Sequence, residues 1–226
     1  MRRRSGTALL VLATCLGVQS ATAQVNAGQS RMSFGIVGGL NLATWSEGNL
    51  PAGETATPVE NRTGFHGGLA ASIPLGPSLF FQPQALFSMK GARSSESGYT
   101  AEVKLNYLEV PLFLGLRIPM QGSGIRPYVM AGPYVGIKMG CKFKASGEGL
   151  SEEVNCDDPD LEADTKSTDF GLAFGAGVEV PMGSGLLSLG ARYTLGLSDL
   201  NANSSAGDPT VRNSVISVGL GYFFGR

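Results

Sequence analysis

Asp169-Phe170-Gly171-Leu172-Ala173-Phe174-Gly175-Ala176-Gly177-Val178-Glu179-Val180 alternates without a break. Phe170, Leu172, Phe174, Ala176, Val178 and Val180 take one parity, while Asp169, Gly171, Ala173, Gly175, Gly177 and Glu179 take the other. Successive side chains of a strand point to opposite faces, so this stretch is a strand with one oily face and one small or polar face. Its length is close to the roughly 9–11 residues that a tilted strand needs to cross a bilayer.

The pattern continues on both sides. Leu187, Leu189, Ala191, Tyr193, Leu195 and Leu197 oppose Ser188, Gly190, Arg192 and Thr194, and Ile216, Val218, Leu220, Tyr222 and Phe224 oppose Ser217, Gly219 and Gly221. Upstream, residues 33–43 and 64–74 read as glycine-rich strands. Residues 79–91 set Phe81, Ala85, Phe87 and Met89 against Gln82, Gln84, Ser88 and Lys90. Residues 103–118 set Leu108, Val110, Leu112, Leu114, Leu116 and Ile118 against Tyr107, Glu109, Phe113 and Arg117. In 125–144, Val129, Ala131, Val135, Ile137 and Met139 oppose Arg126, Tyr128, Tyr134 and Lys138. These are eight strands, the even number that single-chain bacterial barrels use.

The connections alternate in length. Gly76-Pro77-Ser78, residues 121–124 and Gly183-Ser184-Gly185 are short turns, whereas 44–63, 92–101, 145–167 and 199–211 are long. Short periplasmic turns alternating with long external loops describe an all-β, eight-stranded, antiparallel up-and-down transmembrane β-barrel with both termini in the periplasm. The oily face decides against a soluble sandwich or barrel, whose interior is apolar. A soluble fold would bury Gln82, Gln84, Glu109, Arg117, Glu179 and Arg192, or show rows of leucine to water.

Composition agrees. The chain has 33 glycines and 15% charged residues, below the roughly 25% of soluble domains. Its net charge of −1 implies no nucleic-acid partner. Arg2, Arg3 and Arg4, the apolar run 7–18 and Ala21-Thr22-Ala23 read as a signal peptide removed before Gln24, leaving 24–226 as one barrel domain. Leu12-Ala13-Thr14-Cys15 offers a rival lipoprotein reading, disfavoured by Thr14 and by the apolar residues that follow.

Several stretches resemble the PorT-like group of outer-membrane β-barrel proteins. They are Val37-Gly38-Gly39-Leu40-Asn41-Leu42, Gly64-Phe65-His66-Gly67-Gly68-Leu69 and 81–91, followed by Leu105-Asn106-Tyr107-Leu108-Glu109-Val110-Pro111-Leu112, Arg126-Pro127-Tyr128-Val129-Met130-Ala131-Gly132-Pro133-Tyr134 and the ending Gly221-Tyr222-Phe223-Phe224. The resemblance implies a barrel in the outer membrane of a Gram-negative bacterium. One branch of that group is associated with protein export, and no motif here selects that branch.

Candidate chemistry is sparse. His66, the only histidine, reads as a structural lumen residue, because no serine–carboxylate partners can be placed beside it and one histidine builds no metal site. Cys141 and Cys156 are the cysteines left after signal cleavage, and in an oxidising compartment they are expected to pair. Glu148, Glu152, Glu153, Asp157, Asp158, Asp160, Glu162 and Asp164 form an acidic loop that lacks calcium-loop spacing and reads as solvated. Glu109, Arg117, Arg126, Lys138, Glu179 and Arg192 are expected inside as a charge network, either a salt-bridged plug or a polar channel, the plug being preferred in so narrow a barrel.

The expected function is non-enzymatic: a structural or interaction role through external loops, with a link to export as in PorT-like proteins. A small enzyme acting on outer-membrane lipid and a narrow solute pore are the alternatives. No cofactor is expected. Expected partners are outer-membrane lipid, the barrel assembly machinery during biogenesis, and a secretion-system or surface protein; a monomer and no nucleic acid are expected.

Overall fold

The computed structural model describes residues 32–48, 60–96, 98–120, 122, 124–147, 150–156, 166–200 and 209–225. The expected signal peptide lies outside them. The strands are β1 (Ser33–Gly48), β2 (Arg62–Pro74), β3 (Leu79–Glu96), β4 (Tyr99–Arg117), β5 (Arg126–Gly147), β6 (Leu150–Asn155), β7 (Thr168–Met182), β8 (Gly185–Gly196) and β9 (Thr210–Phe224). All pairings are antiparallel, and β1, β2, β3, β4, β5, β7, β8 and β9 follow one another around a ring that β1 and β9 close. Eight strands make the barrel. The short β6 stands outside the ring, paired with residues 142–147 of β5 beyond the point where β7 leaves it.

Parity sets what each face meets. Leu40, Leu69, Leu114, Phe174 and Leu220 stand on the outer surface, with Leu69 66% and Leu220 56% exposed. From Phe34 to Leu42 the outward residues of β1 span eight residue steps. At ~3.3 Å per step and a tilt of ~40°, that is an apolar band roughly 20 Å tall, near the ~25 Å of an outer-membrane barrel. Inside, Gln82, Gln84, Lys90, Glu109, Asp169 and Glu179 are buried. Oil outside and charge inside is the inverse of a water-soluble barrel. Lipid removes the cost of the first and mutual pairing removes the cost of the second.

The expected loop at 92–101 is instead strand. β3 runs on to Glu96 and β4 starts at Tyr99, with Gly98 supplying the left-handed turn at φ +86°. Beyond the lipid both faces are wet, so alternation fades while the backbone still needs its ladder partners. Similarly, part of the expected loop at 145–167 continues β5 to Gly147 and returns as β6. The upper parts of β3, β4, β5 and β6 thus form one four-stranded extension past the apolar band, on the side of the long connections.

A register shift separates barrel from extension. Asn106 pairs with Gly140 but Tyr107 pairs with Lys138, leaving Met139 as an extra residue in β5. The parity of β5 flips there. Tyr134 and Gly136 face the lumen below the bulge, and Cys141 faces the same interior above it.

Candidate functional site

The lumen is built in layers. At the end carrying the short turns, Arg117 Nε donates to Glu179 Oε2 at 2.7 Å and Nη2 donates to Oε1 at 3.0 Å, a bidentate clamp; Nη2 also donates to Ser72 Oγ at 2.9 Å. The same guanidinium lies 4.1 Å from the centre of the Phe80 ring, which meets Tyr128 edge-on. Phe80 lies over Gly115, where an added Cβ would come within 2.2 Å of the ring. Ion pair and rings together pack this end of the lumen.

Asp169 organises the other end of the lumen. It is fully buried and accepts from Lys90 Nζ at 3.2 Å, Tyr134 Oη at 3.1 Å and Asn213 Nδ2 at 2.9 Å on Oδ2, and from Ser198 Oγ at 2.6 Å on Oδ1. Lys90 also pairs with Glu109 at 2.5 Å and lies over the Tyr134 and Tyr107 rings, 4.5 and 5.3 Å from their centres. One buried cation therefore holds two buried carboxylates. Hydrogen bonds from Tyr134, Ser198 and Asn213 use the other lone pairs of Asp169, whereas Glu109 depends on its ion pair with Lys90, its Oε1 having no further hydrogen-bond partner among the described residues.

Between these layers a cavity of about 60 Å³ is lined by His66, Gln82, Gln84, Tyr128, Ser188 and Arg192, among others. It has room for a few waters. Arg192 Nη1 donates to Gln84 Oε1 at 3.4 Å. His66 Nδ1 meets Asn41 Oδ1 at 2.8 Å, which also accepts from Ser217 Oγ at 2.8 Å, while Asn41 Nδ2 donates to Ser88 Oγ and Met89 O. No carboxylate or serine bonds the histidine among the described residues, so it is a wall-to-wall strut between β1 and β2.

Above the polar layers the barrel ends in an apolar cap. Leu105, Tyr107, Cys141, Cys156 and Leu200 are buried together, with Trp45, Val103, Phe143 and Val211 packed against them. Cys141 and Cys156 form a disulfide that ties the start of the upper β5 to the end of β6. Arg62 closes the rim: its Nε donates to Glu102 Oε1 at 2.6 Å and its Nη1 to Lys90 O at 3.0 Å. On the outer face of the extension, Glu153 accepts from Lys104 and Lys142 Nζ, each at 2.7 Å, and these two hydrogen bonds hold its carboxyl down at about 2.

The expected charge network thus resolves into two groups. Arg117 and Glu179 form one, and Glu109 belongs to the other, where Arg192 is its near neighbour in charge. Arg126 stays half-buried in register with Glu179 and joins neither group among the described residues; half-buried Lys138 sits at the bulge. Lys90 and Asp169, the centre of the second group, lie on the polar parity of their strands but 79 residues apart, and only ring closure brings them together. Of the acidic loop, Glu152 and Glu153 fall in β6, while Glu148, Asp157, Asp158, Asp160, Glu162 and Asp164 lie outside the described residues.

Closed antiparallel ring, lipid-facing leucines and polar interior describe a membrane barrel, and residues 19–202 match the profile of the outer membrane protein beta-barrel domain. The chain belongs to that family. The outer membrane of a Gram-negative bacterium is therefore where it resides. No curated protein matches the chain. Among solved structures it is similar to Ail, the attachment invasion locus protein of Yersinia pestis, at 19% identity over 85% of this chain and 98% of that one, with a TM-score of 0.41. It is also similar to Neisserial surface protein A, at 16% identity over 84% and 97%, with a TM-score of 0.47.

Proposed function

We propose that this family member is a non-enzymatic outer-membrane protein that acts through its extracellular surface by engaging another molecule. The closed lumen carries the reading. Among the described residues the lumen holds two ion-pair layers, a cavity of about 60 Å³ and a disulfide-tied apolar cap, which supports a filled interior over a solute path. Work at the interior is therefore disfavoured, and the four-stranded extension supplies a backbone-paired surface beyond the lipid. The environment of His66, bonded to an asparagine, argues against hydrolysis of lipid.

The test is affinity capture on the refolded barrel in lipid nanodiscs. Capture of a defined surface or secreted protein, lost when residues 93–102 are replaced by a two-residue turn, is the expected result. Retention of every captured protein by that shortened variant would sink the reading. The resemblance to PorT-like proteins supports a narrower second reading, a link to protein export. Co-purification of secretion components from native outer membrane would favour it, and their absence would remove it.

A further inference from the structure

The inner face of the extension continues past the cap as a trough. On β4 the parity of Leu105 and Val103 carries on through Ala101 to Tyr99, and on β5 that of Cys141 and Phe143 carries on through Ala145 to Gly147. Leu150 and Glu152 complete the face on β6, paired with Gly147 and Ala145. The trough is open to one side and offers about 460 Å³, within the ~300–1,000 Å³ range of ligand-sized clefts. Its floor is small: alanines in the middle, and Gly147 under the Tyr99 ring, where a Cβ would come within 2.3 Å. Tyr99 and Leu150 stay 56% and 79% exposed, far from the lipid band that explains exposure elsewhere.

Charge distinguishes this face from its reverse. Glu60 pairs with Arg93, Glu102 with Arg62, and Glu153 with Lys104 and Lys142. The two carboxylates of the trough, Glu96 on β3 and Glu152 on β6, have no ion-pair partner among the described residues. They stand at opposite ends, three strand spacings apart. At ~4.8 Å per spacing and one pleat repeat along the strands, that is roughly 15 Å.

From this arrangement we infer that the trough binds an extended polypeptide segment with an apolar centre and a basic side chain at each end. Tyr99 and Leu150 clasp the centre against the alanine floor, and Glu96 and Glu152 each take one cation. Roughly 15 Å of extended chain is four or five residue steps, and side chains that face the same way stand an even number apart, so the basic residues are four apart. A nucleic acid or an anionic lipid is repelled by the same pair. The inference rests on the interaction role proposed above and names the chemistry of its partner.

The experiment measures anisotropy of a labelled peptide, acetyl-Lys-Ala-Leu-Ala-Lys-amide, whose lysines and leucine share one face when extended, on the full barrel in uncharged nanodiscs. Saturable binding is expected. It should weaken at least tenfold in the Glu96→Gln/Glu152→Gln variant and for the peptide with both lysines replaced by glutamate, and remain unchanged in Glu153→Gln, which alters the reverse face. Leu150→Ser, which removes the apolar clasp without adding charge, should also weaken it, and loss of heat-modifiable gel mobility marks any variant that fails to fold. Equal binding by the wild type and the double glutamine variant, equal loss in Glu153→Gln, or no saturable binding overturns the inference. Protein capture run in parallel separates the two claims. A surface protein retained equally by the wild type and the double variant removes the trough but leaves the interaction role standing, whereas peptide binding without any protein partner does the reverse.

Discussion

Replacing Lys90 by Met tests the buried triad. Methionine keeps a long apolar stem against Tyr107 and Tyr134 but removes the one cation held between Glu109 and Asp169. Both carboxylates are almost wholly buried, with side-chain exposures of 5% and 0%. Asp169 keeps its donors Tyr134, Ser198 and Asn213, so Glu109 carries most of the uncompensated charge. Removing one partner of a buried pair costs ~3–5 kcal/mol, and the same is expected for Lys90→Met. Adding Glu109→Gln to it should return part of the loss, with a coupling of roughly 0.5–3 kcal/mol in a double-mutant cycle. The assay is urea unfolding of the refolded barrel in lipid vesicles, followed by fluorescence of Trp45, the single tryptophan, which packs in the cap above the triad. A loss below about 1 kcal/mol, or strictly additive single variants, would refute the claim that Lys90 neutralises both groups.

The other predictions concern the cap, the extension and the wall. Cys141→Ser/Cys156→Ser opens a link spanning 15 residues and should cost about 3 kcal/mol in the same unfolding assay, with the wild type matching the variant after reduction. Glu153 should titrate near 2 by NMR and move back towards 4.5 in Lys104→Ala/Lys142→Ala. Because its pKa is lowered on folding, its contribution is present above its ordinary pKa and disappears as pH falls from there through about 2. Gly132→Ala sets a Cβ within 1.9 Å of the Leu112 carbonyl oxygen in the β4–β5 wall, and should lower stability by ~1–3 kcal/mol, read as a lower urea midpoint.

The barrel was legible because its signal is strictly local. Phe170 to Val180 needs only alternation, and lipid on one side with polar partners on the other keeps that alternation intact in the lipid-spanning part of the ring strands, below the bulge in β5. Where the environment is water on both faces, the signal vanishes. Arg93-Ser94-Ser95-Glu96-Ser97-Gly98 has turn composition, yet most of it belongs to a hairpin ladder. One extra residue, Met139, reverses parity in β5 and hides the fact that Cys141 and Phe143 join the interior. The polar face of each strand could be named from sequence, but partners could not. Lys90 meets Asp169 across 79 residues, and Arg117 meets Glu179 across 62, through a closure that no single strand encodes.

A shut lumen, with function on the extracellular surface, is what the proposed role requires. Single-channel recording of the refolded protein in a planar bilayer, with insertion verified by heat-modifiable mobility of the recovered sample, tests it most directly. The closed layers predict a flat trace at the bare-membrane leak, with the disulfide intact, across applied voltages of both signs. Reproducible unitary current steps that scale with salt concentration would contradict it.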